Sequence, residues 1–347
     1  MIKKIEFINW KSLANATLHI DPLTILIGAN ASGKSNVLDA LLFLQRIASG
    51  ISLTQALEGN ASLPAIRGGL DWAALKGKVD FTLTVTLDEP DHNDLKVTVV
   101  ASVINKYAFS VNGYPEDVAH SQLRNLFILD PIPSHMRGYS ALSPSLSPDA
   151  ANLAGVMAAL PEAKQAELNQ AIDTYLRHLP EQDLGSVRAE KVGHFGSDAM
   201  LYCEEVWGDG PPQLIDARNM SDGTLRFLAI LVALLTRPAG SLLVIEEVDS
   251  GLHPSRADLL VRMLKEVGGS RGVDVLATTH NPALLDALGP GLFPCVTVAH
   301  RDPRTGHTQL TPLDQIDRLP KLLAMGSLGR LSTSGRLEKA VSGQEDD

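Results

Sequence analysis

An eight-residue segment, GANASGKS at residues 28–35, limits the possible folds of this chain more than any other feature. The β-rich apolar run LTILIG (23–28) precedes it, and residues 36–48 carry apolar side chains at helical spacing. The segment fits the pattern G-x-x-x-x-G-K-[ST], whose backbone N–H groups surround phosphate oxygens. A strand, a glycine-rich turn and a helix in this order predict an α/β fold with a phosphate site at the helix N-terminus.

The segment supplies each group that a bound polyphosphate needs. Gly28 and Gly33 let the backbone approach the phosphate oxygens closely. Lys34 supplies a positive charge for the β- and γ-phosphates, and Ser35 supplies a hydroxyl for Mg²⁺. We therefore expect the nucleotide to contact Gly28, Ala29, Asn30, Ala31, Ser32, Gly33, Lys34, Ser35 and Asn36. A phosphate loop alone does not distinguish kinases, GTPases and ATPases.

Two carboxylates end a second apolar strand, LLVIEE at residues 242–247. In α/β folds, ligands bind at the carboxyl ends of the strands. Glu246 can hold Mg²⁺ directly or through water, and Glu247 can orient or deprotonate the attacking water. The alternative interpretation is a solvated acidic strand end, which the upstream phosphate loop disfavours.

Two further segments carry candidate phosphate contacts. The strand DVLATTH (274–280) ends in His280, which is placed to sense or polarise the γ-phosphate, although a structural or surface histidine is the alternative. In MSDGTLRFLAI (220–230), Ser221 stands at a helix start, where a serine is a common N-cap. A serine hydroxyl, a glycine N–H and a helix dipole also form an anion site, so this segment suits a second phosphate contact.

The composition narrows the class of protein. With 44% hydrophobic and 20% charged residues, the chain resembles an ordinary globular protein. No apolar run reaches the roughly 18 residues of a membrane span, and the N-terminal MIKKIEF lacks the apolar part of a secretory signal. We therefore expect a cytoplasmic protein without membrane association. The net charge of −10 argues against a general nucleic-acid binder, although a local basic groove would still permit DNA binding.

The remaining pattern predicts a mixed architecture. Strands alternate with helices after residue 220, which is typical of a largely parallel sheet covered by helices. FTLTVTL (81–87) and LKVTVVASVI (95–104) predict an antiparallel pair, and YAFSVNGY (107–114) a third strand with an Asn-Gly turn. A helical stretch is expected from about Ala150 to Leu179.

The order of these elements resembles the ABC ATPase superfamily, in particular its SMC, RecF and OLD-like branch. Within this branch the sequence is most similar to the small stand-alone AAA_21-like ATPases, often grouped with prokaryotic defence and mobile-element genes. The resemblance covers residues 2–41, the segment LDPIPSHMRGYSALSPSLSPDAANLAGVM (129–157) and residues 221–280. It implies an ABC-type P-loop NTPase head with a mixed, largely parallel sheet covered by helices, an antiparallel β subdomain and a helical insert.

The resemblance implies a role for each part of the nucleotide site. It makes Lys34 and Ser35 the ligands of ATP and Mg²⁺ in the Walker A loop. Glu246 becomes the Walker B acid, which holds the metal with Ser35. Glu247 becomes the catalytic carboxylate, and His280 the switch histidine that also serves catalysis.

Two more segments are assigned by resemblance to the interface of a dimer. The signature segment is expected to contact the γ-phosphate held by the opposite protomer and comprises Ser221, Asp222 and Gly223. The D-loop lines the dimer interface and comprises Asp249, Ser250 and Gly251.

The sequence departs from the family pattern in three places. The signature reads MSDGT where transporters have LSGGQ, and the Walker B acid is Glu246 rather than the commoner aspartate. No Q-loop glutamine is assigned, since Gln45 lies on the first helix and therefore too early. Arg67 in AIRGG (65–69) is either a polar contact near the site or an exposed loop arginine.

The resemblance also predicts the organisation of the chain as a single ABC-ATPase domain over residues 1–347. Lobe I would comprise about 1–125 and 187–215, with a helical insert at about 130–185, and lobe II about 216–340. No sustained heptads of a long coiled coil are present. About 65 residues follow His280, fewer than a TOPRIM nuclease domain requires, so we expect no nuclease activity in this chain.

The expected function is an ATP-driven dimeric switch that hydrolyses ATP. It would act as a homodimer or higher homo-oligomer and control a separately encoded effector, a nuclease or toxin, in antiphage defence or DNA maintenance. One alternative is a RecF-like DNA-binding repair ATPase. A second is a transporter nucleotide-binding subunit, against which the SDGT signature and the segment at 129–157 argue. A third is a nucleotide-gated scaffold with negligible turnover, which the intact carboxylate pair disfavours.

Overall fold

The computed structural model describes residues 1–89, 92–105, 107–111, 121–176, 184–205 and 210–343. The chain divides into two compact units. Unit 1 comprises Met1–Phe127, Gly240–Val248 and Asp274–Asp347, and unit 2 comprises Ile128–Ala239 and Asp249–Val273. These units are defined by internal contacts, whereas the lobes expected from the sequence follow a family division and stay a prediction.

The secondary structure is mixed. The strands are β1 (Ile2–Trp10), β2 (Leu13–His19), β3 (Leu23–Ile27), β4 (Asp80–Glu89), β5 (His92–Ser102), β6 (Tyr107–Val111), β7 (Leu126–Leu129), β8 (Ser140–Ala141), β9 (Leu184–Val192), β10 (Asp198–Glu205), β11 (Gln213–Asp216), β12 (Leu242–Ile245), β13 (Asp274–Thr278), β14 (Val296–Arg301) and β15 (Thr308–Pro312). The α-helices are α1 (Lys34–Ala48), α2 (Leu53–Glu58), α3 (Pro133–Met136), α4 (Leu153–Ala159), α5 (Glu162–Leu176), α6 (Asp222–Thr236), α7 (Ala257–Arg271), α8 (Pro282–Ala287), α9 (Leu319–Leu323), α10 (Leu328–Thr333) and α11 (Arg336–Ser342). Short 3₁₀ helices occupy Leu70–Trp72, Pro254–Arg256, Pro290–Cys295 and Leu313–Gln315.

A five-stranded antiparallel sheet in unit 1 has the order β2-β1-β4-β5-β6. The predicted pair at 81–87 and 95–104 is β4 and β5, and the predicted third strand is β6. The expected Asn-Gly turn lies outside the described residues. Helix α1 packs on this sheet through an aromatic cluster, in which the ring centroids of Trp10, Phe43 and Phe81 lie 4.8–5.5 Å apart. The cluster fixes α1, and with it the loop that precedes α1.

The central sheet has the order β15-β14-β3-β13-β12-β7. Strands β12, β13, β3 and β14 are parallel, and β15 runs antiparallel at the edge. Every residue of β3, β12 and β13 is buried, as expected of parallel strands covered on both faces. The carboxyl ends of these three strands share one edge of the sheet, which brings together the segments that follow Ile27, Ile245 and Thr278.

Two predicted strands are shorter than expected. The strand expected over 242–247 ends at Ile245, and the one expected over 274–280 ends at Thr278. Glu247 has a φ of 47°, in the left-handed region, so the chain turns away from the sheet there. The carboxylates and His280 therefore lie on loops just beyond the strands.

Unit 2 contains a second antiparallel sheet, in which β10 pairs with β8, β9 and β11. The last part of the helical stretch expected from Ala150 to Leu179, residues 177–179, lies outside the described residues. The described part contains two helices, because Pro161 cannot continue α4 and instead precedes the start of α5. Helix α6 is buried along most of its length. Within the described ranges no helix has the length and apolar character needed to cross a membrane.

Candidate functional site

The loop between β3 and α1 has two positions whose backbone conformation favours glycine. Gly28 and Gly33 have φ values of 143° and 110°. A Cβ at Gly28 would lie 2.1 Å from the carbonyl oxygen of Ala299, and one at Gly33 would lie 2.2 Å from Oγ1 of Thr308. Both glycines are therefore required by conformation and by space.

The same loop fits a phosphate group. No side chain among the described residues caps α1, so N–H groups at the N-terminus of this helix can bind an anion. Oγ of Ser32 is buried and has no hydrogen-bond partner among the described residues. These donors line a cleft of about 190 Å³, together with Glu246, Glu247, Thr278 and Arg301.

Lys34 lies folded over its own loop. Its Nζ donates hydrogen bonds to the carbonyl oxygens of Gly28 at 2.6 Å and Ala29 at 3.1 Å. Burial lowers the pKa of the Lys34 ammonium, while the negative charges of Glu247, Glu246 and Glu338 act in the opposite direction. A phosphate would offer this ammonium stronger, charged acceptors than the two carbonyls.

Glu246 forms hydrogen bonds with Ser35 and with an arginine that is distant in the sequence. Oγ of Ser35 donates a hydrogen bond to Oε1 of Glu246 at 2.8 Å, so the two residues expected to hold Mg²⁺ are neighbours. The guanidinium of Arg67 donates to both oxygens of Glu246, with Nη1 at 3.0 Å from Oε1. Hydroxyl and carboxylate oxygens are the ligands that Mg²⁺ prefers. The donor set fits the metal, and the metal-binding role of both residues stays a prediction.

Glu247 and His280 lie beside each other at the same sheet edge. The backbone N–H of Glu247 donates to Oγ1 of Thr278 at 2.9 Å, which fixes the turn after β12. Nδ1 of His280 is 3.6 Å from Oε1 of Glu247, which is too long for a hydrogen bond but places the two side chains next to each other. Both side chains are about half exposed (51% and 54%), as reactive groups facing a cleft must be. Their catalytic roles stay predictions.

Both interpretations of Arg67 describe part of what the structure shows, because its side chain contacts Glu246 and is also 54% exposed. Its position depends on a buried ion pair. Nζ of Lys11 is 2.6 Å from Oδ2 of Asp39 and donates to the carbonyl oxygen of Arg67 at 2.7 Å. Gln45, in contrast, donates to the carbonyl oxygen of Leu126 at 2.7 Å and so has a structural contact.

Sequence reasoning missed two residues that support the loop. Nε of Arg301 donates to the carbonyl oxygen of Ala31 at 2.9 Å. Oγ1 of Thr308 donates to the carbonyl oxygen of Ser32 at 2.8 Å. Both residues follow the phosphate loop by about 270 positions in the chain, and no spacing in the sequence indicates that they return to it.

The signature and D-loop segments lie together in unit 2. Oγ of Ser221 accepts a hydrogen bond from the N–H of Thr224 at 3.1 Å and so caps α6, while the Ser221 side chain stays accessible. A Cβ at Gly223 would lie 2.7 Å from the carbonyl oxygen of Gly251, so the two segments pack against each other. Asp249 is buried, and Asp222 and Gly251 are exposed.

Comparison with known families agrees with this arrangement. The AAA_21 family, described as "AAA domain, putative AbiEii toxin, Type IV TA system", matches residues 23–95 and 126–286, more than half of the chain. The chain belongs to the AAA_21 family. The AAA_21 match includes the phosphate loop, Arg67, both carboxylates and His280. No curated protein matches the sequence.

Solved structures of SMC head domains share the fold. A head bound to the C-winged helix domain of ScpA is 15% identical with a TM-score of 0.59, covering 89% of this chain and 97% of that one. The head from Thermotoga maritima is 13% identical with a TM-score of 0.53, covering 90% and 98%. A head with an extended coiled coil, bound to the C-terminal domain of ScpA from Pyrococcus furiosus, is 13% identical with a TM-score of 0.56, covering 93% and 98%.

These likenesses confirm the fold class and the family resemblance. The chain thus has the AAA domain of its family, and its mixed α/β fold is that of an SMC head, which is of the ABC type.

Proposed function

We propose that this chain binds ATP with Mg²⁺, hydrolyses ATP, and acts as a dimeric switch that controls a separate effector. The observation that carries the proposal is the convergence of Lys34, Ser35, Glu246 and Glu247 on one cleft. A cation, a hydroxyl and two carboxylates in this order provide each group that ATP hydrolysis needs.

Each residue has a defined part in the reaction. Lys34 exchanges its loop carbonyls for the β- and γ-phosphates, and the N–H groups at the start of α1 hold the phosphate oxygens in place. Ser35 and Glu246 would hold Mg²⁺, which when bound neutralises charge on the β- and γ-phosphates. Glu247 orients the attacking water and accepts its proton. His280, beside Glu247, polarises the γ-phosphate.

The switch depends on a second copy of the chain. Ser221 is exposed at the N-terminus of α6, a 15-residue helix whose dipole favours an anion there. We propose that this end of α6 contacts the γ-phosphate held by the partner copy, and that the adjoining D-loop lines the interface. ATP would then bind the closed dimer better than the open state and shift the equilibrium towards it, and hydrolysis would reverse the shift.

The test is the molar mass of Glu247→Gln by light scattering, with and without ATP and Mg²⁺. We expect ATP to raise the mass from monomer to dimer, or from dimer to a larger assembly. Ser221→Arg should abolish this shift. Ser52→Arg is the matched control, since Ser52 is another N-cap serine, at the start of α2, and should leave the shift intact. An unchanged mass of Glu247→Gln, while the parent chain still hydrolyses ATP, would refute the composite site.

We further propose that the closed dimer controls a separately encoded nuclease or toxin in antiphage defence or DNA maintenance. The family description, which names a putative toxin and a toxin–antitoxin system, supports a role in defence. The check is to mix Glu247→Gln with the protein encoded beside it and to compare complex formation in ATP and in ADP. Equal binding in both nucleotides would argue against control by the switch.

A further inference from the structure

Arg137, which follows α3, reaches the turn that leads into Ser221. Its Nη1 donates hydrogen bonds to three carbonyl oxygens of that turn, those of Ala217 at 3.0 Å, Arg218 at 2.9 Å and Met220 at 2.7 Å. All of these residues belong to unit 2. Three carbonyls that converge on one point need N–H donors, and the guanidinium of Arg137 supplies them.

The second terminal nitrogen of the same guanidinium pairs with Asp222. Nη2 of Arg137 donates to Oδ1 of Asp222, directly after Ser221 in the chain. The Arg137 side chain is 28% exposed, whereas that of Asp222 is 63% exposed. One arginine therefore connects the backbone before Ser221 with the side chain after it.

Asp222 creates an electrostatic problem at this position. A carboxylate in the first turn of a helix is favourable for the helix itself. Beside a hydroxyl that is to receive a phosphate, however, it repels the incoming negative charge. Transporter signatures have glycine at this position, so the SDG form of this chain needs a compensating cation that the SGG form does not.

We infer that Arg137 is the positioning residue of the signature segment: it fixes the turn before Ser221 and neutralises Asp222, so that this end of α6 can accept the γ-phosphate of a second copy. The inference rests on the proposed dimeric switch. Nothing in the sequence spacing indicates the contact, because Arg137 precedes Asp222 by 85 residues.

Arginine suits this role better than lysine. Its planar guanidinium directs several N–H donors at fixed angles, so one side chain can serve the carbonyls and the carboxylate at once. A lysine ammonium at the same place would keep the charge but could not hold both groups in the same geometry.

The test measures ATP-driven dimerisation in the Glu247→Gln background as a function of protein concentration. Arg137→Met should weaken dimerisation about tenfold to a hundredfold, because it removes several hydrogen bonds to charged and carbonyl acceptors. Arg137→Lys should fall in between. Arg188→Met is the matched control, since Arg188 pairs with Glu190 and Glu204 elsewhere in unit 2 and should have little effect.

Two further readouts separate positioning from a general loss of structure. Binding of a fluorescent ATP analogue to the dilute protein reports on the phosphate loop of unit 1, and we expect it to change less than about twofold in Arg137→Met. In an Asp222→Asn background the carboxylate charge is absent, so Arg137→Met should weaken dimerisation less than it does beside Asp222.

The outcomes distinguish this inference from the function on which it rests. If Glu247→Gln itself shows no ATP-driven change in mass, the dimeric switch fails and this role of Arg137 fails with it. If the parent dimerises and Arg137→Met does so equally well, only the role of Arg137 is refuted. An undiminished effect of Arg137→Met in the Asp222→Asn background, or a similar loss in Arg188→Met, would also refute it.

Discussion

Ser35 and Glu246 are joined by a hydrogen bond of 2.8 Å, although 211 residues separate them in the chain. Ser35 is in the first turn of α1, and Glu246 directly follows β12. Their contact exists because β3 and β12 end at the same edge of the central sheet, with β13 between them. The arrangement brings a hydroxyl and a carboxylate together where a phosphate-bound metal would need both.

Replacing Glu247 with glutamine should separate nucleotide binding from turnover. The amide cannot accept the proton of the attacking water, so kcat should fall about a hundredfold to ten-thousandfold. Affinity for ATP should persist, because the phosphate loop is unchanged. Phosphate release and equilibrium binding measure the two effects. Glu167→Gln, at an exposed ion pair with Arg271, is the control and should retain full activity. Normal turnover in Glu247→Gln would contradict the role of Glu247 as the base that accepts the proton of the water.

Gly33 allows a comparison with a second glycine that also has a positive φ. Gly33→Ala places a Cβ 2.2 Å from Oγ1 of Thr308, whereas Gly77, also at positive φ, has open space around its Cβ position. Both alanine variants are strained, but only Gly33→Ala adds a clash. We expect Gly33→Ala to be less stable than Gly77→Ala by roughly 1–3 kcal/mol in urea unfolding, and to lose nucleotide binding. Equal stability of the two variants would contradict the crowding seen at Thr308.

Arg67→Ala should change the magnesium requirement. Arg67 occupies both oxygens of Glu246, so it competes with a metal for the same carboxylate. The pair is partly exposed, and removing such a competitor is worth about 0.2–1 kcal/mol. The Mg²⁺ concentration that gives half-maximal nucleotide binding should therefore fall by up to about fivefold. Arg188→Ala is the control and should leave the magnesium requirement unchanged. A higher magnesium requirement in Arg67→Ala would show that Arg67 instead contacts the bound phosphate.

The local parts of the site could be predicted from the sequence, because a short pattern carries each of them. The phosphate loop needs glycine where φ is positive and lysine at one fixed place, and both requirements are visible in the spacing of residues 28–35. The acidic pair follows an apolar run that had to be a buried strand. The structure brings these groups to one cleft, and their roles in binding and catalysis stay predictions.

The supporting contacts could not be predicted, because they depend on how distant segments pack. Arg67 reaches Glu246 only when the buried pair of Lys11 and Asp39 holds its backbone in place. Thr308 supports the loop only because β15 pairs with β14 beside β3. No periodicity or spacing in the sequence encodes these approaches.

The buried carboxyl of Asp274 should make the stability of the fold depend on pH, with or without bound nucleotide. It lies buried at the start of β13, and burial raises its pKa to about 6, with the negative charge of Asp21 acting in the same direction. In the unfolded chain this carboxyl has its ordinary pKa of about 3.9. The folded state therefore binds the proton more tightly than the unfolded state does. The protonated Asp274 carboxyl therefore stabilises the folded state fully below about pH 4. This stabilisation is lost as the pH rises through about 6.

Asp274→Asn removes this titration while keeping the shape of the side chain. Between pH 4 and pH 6 the free energy of unfolding of the parent should fall relative to that of Asp274→Asn, because only the parent must hold an ionised carboxylate in the core at the higher pH. Urea unfolding at several pH values measures the difference, and Asp314→Asn, at an exposed position, should follow the parent. Parallel pH profiles for the parent and Asp274→Asn would mean that water or a shift of the strand solvates the carboxylate in the folded state.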